Sequence, residues 1–299
     1  MQSTNLEKLK EFQAKPHFIA SIDVLGYKSM VCRQSERASE ITEIIHRHFS
    51  NIIKKINDHN ELMGDIYGMF DDHNKLKGDI YGMFDVRIST FSDNILISTE
   101  NQWHKLYTIC ADLQMEMIQE GLFVRGVLHH GDLYADNDFV FGCGLIAAHE
   151  YESKIVVYPR VVLHDTFYNA IEKHARLAKN ACIELHNDYF IFKRESEPSD
   201  ILQQKFMFYN DFDGCKIVDY LSAWEEINIK FPRSEYFSKY REPIVDNHKQ
   251  KIIANMKNNA KDIKVYEKYQ WCKKYHNSFC KKYNDKQMHN ISLSINVFA

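Results

Sequence analysis

"PHFIASIDVLGYKSM", residues 16–30, is the stretch on which the reading of this chain turns. The apolar run from Phe18 to Ile22 reads as a buried strand, with Pro16 punctuating its start and Gly26 its turn. Asp23 closes that run. A carboxylate at the end of a buried strand is costly unless something pairs with it, so its partner has to be found elsewhere in the chain.

Outward from this strand, "SERASEITEIIHRHFSNIIKKIND" (35–58) places Ile41, Ile44, Ile45, Phe49, Ile52, Ile53 and Ile56 at helical spacing. Two near-copies follow, "DHNELMGDIYGMFD" (58–71) and "DHNKLKGDIYGMFD" (72–85), identical at 12 of 14 positions. A single tandem pair is no solenoid; it reads as a duplication within a surface connection, since lengthening a loop costs little entropy. "VRISTFSDNILIS" (86–98) has two β-rich halves meeting at Ser92-Asp93-Asn94, a hairpin signature. A helix over roughly 103–120 precedes the strand "LFVRGVLHHGDLY", which holds Arg125 and Gly126.

After these come a short strand at "DFVFG", a helix at "CGLIAAHEYESK", a strand at "YPRVVLHD" and a helix at "TFYNAIEKHARLAKN". "CIELHNDYFIFKRE" and "KFMFYNDFDG" are later strands, and from about Lys216 onward the pattern reads as helical. Hairpins mixed with helices, rather than strict alternation, predict an α+β fold with a mostly antiparallel sheet.

At 299 residues and 44% hydrophobic the chain can bury a substantial core. The net charge of -3 provides no global pull towards nucleic acid or anionic lipid, although Lys249 to Lys286 holds eleven Lys against Asp262, Glu267 and Asp285. In that segment Ile252, Ile253, Met256, Ala260, Ile263 and Tyr266 predict one docked amphipathic helix with a solvated basic face. Seven scattered cysteines without a CxxC pair suit a reducing compartment. The start, "MQSTNLEKLKEFQAKP", has no apolar core of a signal peptide, and no run approaches the roughly 18 apolar residues of a membrane span. The expectation is a soluble, cytoplasmic protein.

Asp23 and Asp93 each sit where a strand gives way to a turn. If the first strand and the 86–98 hairpin are neighbours, both carboxylates reach one edge of the sheet. Two hard oxygen ligands there suit Mg²⁺ or Mn²⁺ with water and a phosphate completing the shell, and two such ions activate a hydroxyl and stabilise a leaving phosphate. The peptide N–H groups of Leu25 to Lys28, turning at Gly26, would form an anion-binding concavity beside them. Taken singly, each Asp also reads as a cap or turn residue.

"FIASIDVLGYKSM", "FSDNILIS" and "FVRGVLHHGDLY…FVFGCGLIAAHEYESK…YPRVVL" together resemble the class III nucleotidyl cyclase domain over Phe18 to Asp165. The likeness is to its divergent branch, the pyrimidine (cytidylate or uridylate) cyclases of bacterial Pycsar anti-phage systems. It implies a βαββαβ palm working as a head-to-tail homodimer; with the helical pattern after Lys216, the expected division is a cyclase catalytic domain over 1–215 and a helical extension over 216–299. It also implies cyclisation of CTP or UTP to cyclic CMP or cyclic UMP with release of pyrophosphate, the product then activating a separate effector. By the same likeness Asp23 and Asp93 hold two Mg²⁺ or Mn²⁺ ions, the Ile22 carbonyl follows the chain into the metal site, and Val24, Leu25, Gly26 and Tyr27 cradle the triphosphate.

The chain departs from purine cyclases of that class. Their paired Asn and Arg, aligned on Gly142, fall here near Ile146 and Glu150. Another cation must then stabilise the transferring phosphate. Arg125 and Arg160 are the candidates, with Lys28 a third. Arg125 also reads as a partner in a structural ion pair. A catalytically silent nucleotide sensor and a purine cyclase are the alternative functions. Cys272, His276 and Cys280 share a helix face and invite a zinc reading, but their Tyr, Trp and Phe neighbours favour packing. His129 and His130 must point to opposite faces of their strand.

Overall fold

The alternation of apolar and polar residues along β1 (Lys15–Val24) builds two cores, one on each face of a central sheet. Phe18, Ala20, Ile22 and Val24 face the larger core, while Ile19 packs with Leu96, Val127, Leu133 and Ala148 in a smaller one. A computed structural model of the chain describes residues 13–27, scattered positions of 39–50, and residues 86–91, 94–136, 139–177, 181–186, 188–194, 204–230, 235–283 and 290–292. The 58–85 duplication, most of the expected 35–58 helix, Lys28 and Asp93 lie outside the described residues.

Ten described strands form the sheet in the order β2-β3-β1-β4-β6-β10-β9-β8-β7, with β5 (Val140–Phe141) on β4. The hairpin read over 86–98 is β2 (Arg87–Phe91) and β3 (Asn94–Thr99). β1 lies between β3 and β4 (Val124–Ala135), antiparallel to both. β6 (Val161–Leu163) runs parallel to β4, and the other pairs are antiparallel. Beyond β6 the sheet extends through β10 (Lys216–Val218), β9 (Gln204–Asn210), β8 (Tyr189–Arg194) and β7 (Ala181–Leu185). The mixed α+β fold with a mostly antiparallel sheet is the one the pattern predicts.

Helix α1 (Trp103–Gln119) covers the large core with Trp103, Leu106, Tyr107, Cys110, Leu113 and Met117, an unbroken helical stripe. The Tyr107 hydroxyl donates to the Met207 carbonyl, tying α1 to β9. Helix α3 (Asp165–Leu177) follows β6 and buries Phe167, Ala170 and Ile171.

Helix α2 (Cys143–Ile155) covers the smaller core by close backbone approach. A Cβ added at Gly144 would lie 2.8 Å from the Gly131 carbonyl carbon and 2.9 Å from Ile19 Cδ1. Only hydrogen side chains at Gly131 and Gly144 let the helix sit this low on β4. His129 and His130 do part to opposite faces. The His129 ring packs against His164, and the His130 ring against Phe18.

The C-terminal part differs from the reading in two places. Residues 216–218 are not helical but a sheet strand held between β6 and β9; three residues are too few for a period to register. The single Lys-rich helix is two, α5 (Glu235–Asn258) and α6 (Ile263–Lys282), after α4 (Tyr220–Lys230). Asp262 caps α6 by accepting the Val265 N–H at 3.2 Å. The apolar set consequently divides: Ile252 and Met256 are buried on α5, whereas Ile263 is exposed at the start of α6.

The zinc reading has no geometry behind it. His276 directs Nδ1 to His248 Nδ1 at 2.9 Å and Nε2 to Cys280 Sγ at 3.6 Å. These atoms lie on opposite sides of the ring, so one ion could not take both. His248 Nε2 meets the Tyr220 hydroxyl at 2.7 Å, completing a buried polar chain between α4, α5 and α6.

Two outcomes follow from these contacts. Gly144→Ala should cost about 1–3 kcal/mol by overpacking, read as a lower denaturant midpoint; an unchanged midpoint would remove the close-approach argument. Burial, then the neighbouring His164 and His130, lowers the His129 pKa from 6.5 to about 4. The unfolded chain takes up this proton first, so His129 holds the fold above pH 6.5, and stability falls as pH drops from 6.5 towards 4. The loss should be on the order of 2–3 kcal/mol, and the stability-versus-pH slope in that window should flatten in His129→Gln.

Candidate active site

The end of β1 brings three polar residues into one row. Asp23 is in register with Asn94 of β3 on one side and with Arg125 of β4 on the other. Residues directly opposite in antiparallel strands share a face, here the face covered by α2.

Arg125 holds the centre of this row. Its Nε lies 2.9 Å from Asp23 Oδ2 and 2.9 Å from Glu152 Oε1, and one terminal nitrogen donates to the Val156 carbonyl at 3.1 Å. Glu152 is 1% exposed and comes from α2, whose buried residues Gly144, Ala148 and Glu152 recur every four positions. His149 Nδ1 stands 3.7 Å from its other oxygen. Sequence reading missed Glu152, although an acid on a stripe otherwise made of Gly and Ala is the signal that marks it.

The turn after Asp23 is Leu25-Gly26, and Gly26 has φ 79°, a left-handed conformation that costs glycine nothing. The Leu25 N–H is taken by the Phe123 carbonyl at 2.8 Å. That takes the Leu25 N–H out of the expected anion concavity. Val24 is buried in the large core, and Tyr27 packs partly against it. Lys28 lies beyond the described residues.

Ile22 is fully buried, and its carbonyl is spoken for. Gly126, its register partner on β4, sends its N–H to the Arg160 carbonyl of the neighbouring chain segment. By the alternation of antiparallel ladders, the peptide groups of Ile22 then turn to Ile95 of β3. Ile22 is thereby placed in the ladder rather than in a metal shell.

Arg160 is not brought to this row. Its guanidinium is clamped by Asp211 and by both oxygens of Asp213, and it is 1% exposed. Burial opposes its charge, but the Asp213 hydrogen bonds and the Asp211 charge outweigh this and raise its pKa. The Arg160 hydrogen bond likewise holds the Asp213 carboxyl below the usual carboxylate range. Asp211 also accepts from Trp271 Nε1 of α6 at 2.7 Å. Arg160 is therefore a structural clamp between the end of β6, the β9–β10 turn and α6.

A second cation missed in the sequence comes from α6. Burial lowers the Lys268 pKa, Arg125 lowers it further, and the charges of Asp23 and Asp262 act the other way. Lys268 thus lies within electrostatic reach of both members of the Asp23–Arg125 pair.

As to metal, Asp23 is a hard oxygen donor of the kind Mg²⁺ and Mn²⁺ take. Among the described residues no group of three or more His, Cys, Asp or Glu converges on a common ion position. Ile146 and Glu150 are exposed on the outer face of α2, Glu150 pairing with Lys154 at 3.2 Å. Among the described residues no helix is long and apolar enough to cross a membrane.

No protein-family model and no curated protein matches the chain. Among solved structures it is similar to the catalytic core of a rhodopsin-guanylyl cyclase with converted specificity, in complex with ATPαS. That match has a TM-score of 0.37 and 13% identity, covering 59% of this chain and 88% of the other. The monomeric guanylyl cyclase domain of the RhoGC fusion protein from the aquatic fungus Blastocladiella emersonii matches at TM-score 0.37 and 13% identity, over 57% and 92%. The adenylyl cyclase CyaB from P. aeruginosa matches at TM-score 0.34 and 9% identity, over 69% and 95%.

Proposed function

We propose that the chain is a nucleotidyl cyclase that converts CTP or UTP to a 3′,5′-cyclic nucleotide and pyrophosphate. In this reading the product is the second messenger of an anti-phage defence system and activates a separate effector. The observation that carries the reading is the row Asn94–Asp23–Arg125. Asn94 directly follows Asp93 in the sequence, which supports reading Asp93 as the second ligand, although Asp93 itself lies outside the described residues.

In the reaction the ribose 3′-oxygen bonds to the α-phosphorus as the bond from that phosphorus to the bridging oxygen breaks. The hydroxyl proton leaves to water, and pyrophosphate carries away the electron pair. Two Mg²⁺ or Mn²⁺ ions held by Asp23 and Asp93 would supply Lewis-acid activation of the hydroxyl and charge neutralisation at the phosphates. The N–H groups of Gly26 and Tyr27 bind phosphate oxygens. Arg125 orients the transferring phosphate, and Glu152 keeps Arg125 in place once the Asp23 carboxylate is drawn to an ion.

The pyrimidine choice is supported by Ile146 and Glu150, which stand where the purine cyclases carry Asn and Arg. A homodimer is supported by the exposed Phe139, Phe141 and Ile146, apolar side chains just before β5, on β5 and on α2 that a second copy would cover. The catalytic unit and extension would divide near 215/216.

One observation favours a second reading, a silent nucleotide sensor: Asp23 and Arg125 are paired at 2.9 Å, which satisfies the carboxylate without an ion. The two separate on incubating the protein with each of the four NTPs and Mn²⁺. Cyclic CMP or cyclic UMP is the expected product, reduced about a hundredfold or more in Asp23→Ala. No cyclic product from any NTP, or full activity in Asp23→Ala, would sink the enzyme reading. A sensor would instead be stabilised against heat by nucleotide, with no turnover and no metal requirement. Glu152→Gln should raise the Mn²⁺ concentration needed for half-maximal rate several-fold while changing kcat less, because Arg125 then competes harder for Asp23. An equal fall in kcat at saturating metal would contradict that positioning role.

A further inference from the structure

Gln114 sits on the buried stripe of α1 among Cys110, Leu113 and Met117, and it is 5% exposed. A buried amide needs partners for its polar atoms, yet among the described residues no donor reaches its Oε1. The same side chain lines a cavity of about 10 Å³, walled by Ile118, Leu122 and Val124 on its apolar side and bounded by Tyr220. That is room for one water and little else.

Tyr220 is also one end of the buried polar chain between α4, α5 and α6. Its hydroxyl meets His248 Nε2 at 2.7 Å, His248 Nδ1 meets His276 Nδ1 at 2.9 Å, and His276 Nε2 meets Cys280 Sγ at 3.6 Å. All four side chains are buried. Two ring nitrogens facing each other at 2.9 Å share one proton, so one donates and the other accepts. Burial, then the neighbouring His276, holds the His248 pKa well below 6.5, which leaves that ring one N–H and one bare nitrogen. The run can therefore point in only two ways. Either Tyr220 donates to His248 and the run ends at Cys280, or Cys280 starts it and the last free donor is the Tyr220 O–H.

Gln114 Oε1 decides between them, because it can only accept and Tyr220 shares its cavity. A water that accepts from Tyr220 and donates to Gln114 continues a head-to-tail run in which each hydrogen bond polarises the next. A water that donated to both would turn its own lone pairs on the apolar wall, at a desolvation cost. We propose that the cavity is a single-water site bridging the Tyr220 hydroxyl to Gln114 Oε1, and that this water sets the direction of the whole run, with the shared protons on His248 Nε2 and His276 Nδ1. Through it α1, which covers the large core, is tied to all three helices of the C-terminal part. The site does not depend on the cyclase reading.

The test is a high-resolution crystal structure of the full chain, beside NMR spectra of protein labelled at the histidine ring nitrogens, which tell the two tautomers of a ring apart. One ordered water within hydrogen-bond distance of both Gln114 Oε1 and the Tyr220 hydroxyl is expected, with N–H groups at His248 Nε2 and His276 Nδ1. Gln114→Met keeps most of the side-chain volume but removes the acceptor; it should lose the water and leave the His248 tautomer reversed or mixed. A dry cavity, a water that misses either group, or a His248 proton on Nδ1 in the unaltered protein overturns the proposal. Tautomers unchanged in Gln114→Met overturn it as well. Should that variant fail to fold, the two measurements on the unaltered protein still decide the outcome.

Discussion

A single guanidinium between two carboxylates organises this end of the molecule. Arg125 can be half-buried only because Asp23 and Glu152 both reach Nε at 2.9 Å and a carbonyl takes another of its donors. Removing one partner from such a cluster leaves an uncompensated charge in a poorly solvated place, far costlier than the cluster itself. The arrangement in turn fixes what surrounds it. Glu152 reaches Arg125 only if α2 lies low on β4, and α2 lies low only because Gly131 and Gly144 offer no side chains. Asp23 reaches Arg125 only in the present register of β1 against β4, and a shift of one residue would send it to the opposite core.

The second ion cluster does different work. Arg160, Asp211 and Asp213 lie at the junction of β6 with the β9–β10 turn, and Trp271 of α6 closes on the same Asp211. Buried ion pairs of this kind add little net stability over apolar packing, but they tolerate few alternative arrangements. The clamp thus sets where α6 docks, and with it the packing of Tyr269 on Phe123 beside the turn after Asp23.

Much of the palm was legible in the sequence because its signals are local. The apolar run before Asp23, the hairpin signature at 92–94, and the small-residue opening of α2 each lie within a few residues of the structure they specify. β10 was not legible: Lys216–Val218 is stabilised by pairing on both sides with strands distant in sequence, and three residues show no period. The break at 259–262 was read through, since the apolar spacing continued past it and the capping role of Asp262 was overlooked. At the site, Asp23 could be read from its cost alone, whereas its neighbours depend on tertiary placement. Arg125 and Arg160 look alike as arginines beside strands; one faces the Asp23 row and the other is sealed by two aspartates from a turn 50 residues on. Glu152 and Lys268 announced themselves only as charges on otherwise small or aromatic helix stripes, a signal that needs the helix face to be known.

Charge balance ties these groups to the proposed chemistry. Asp23 and Glu152 stand against the one guanidinium of Arg125 at the end of β1. On the proposed function, a polyanion entering alone would be attracted by Arg125 but repelled by the two acids that pair with it. A divalent ion entering alone would face the opposite difficulty, and would have to separate Asp23 from a guanidinium already in place. With both bound, Asp23 would hold the ion, and Arg125 would turn its freed donors to the anion while Glu152 still holds it. Each partner removes the obstacle to the other, which is the condition for positive coupling between two ligands. On the proposed function, the Arg125–Asp23 pair would be the form in which the carboxylate waits, its charge satisfied until ion and phosphate arrive as a unit.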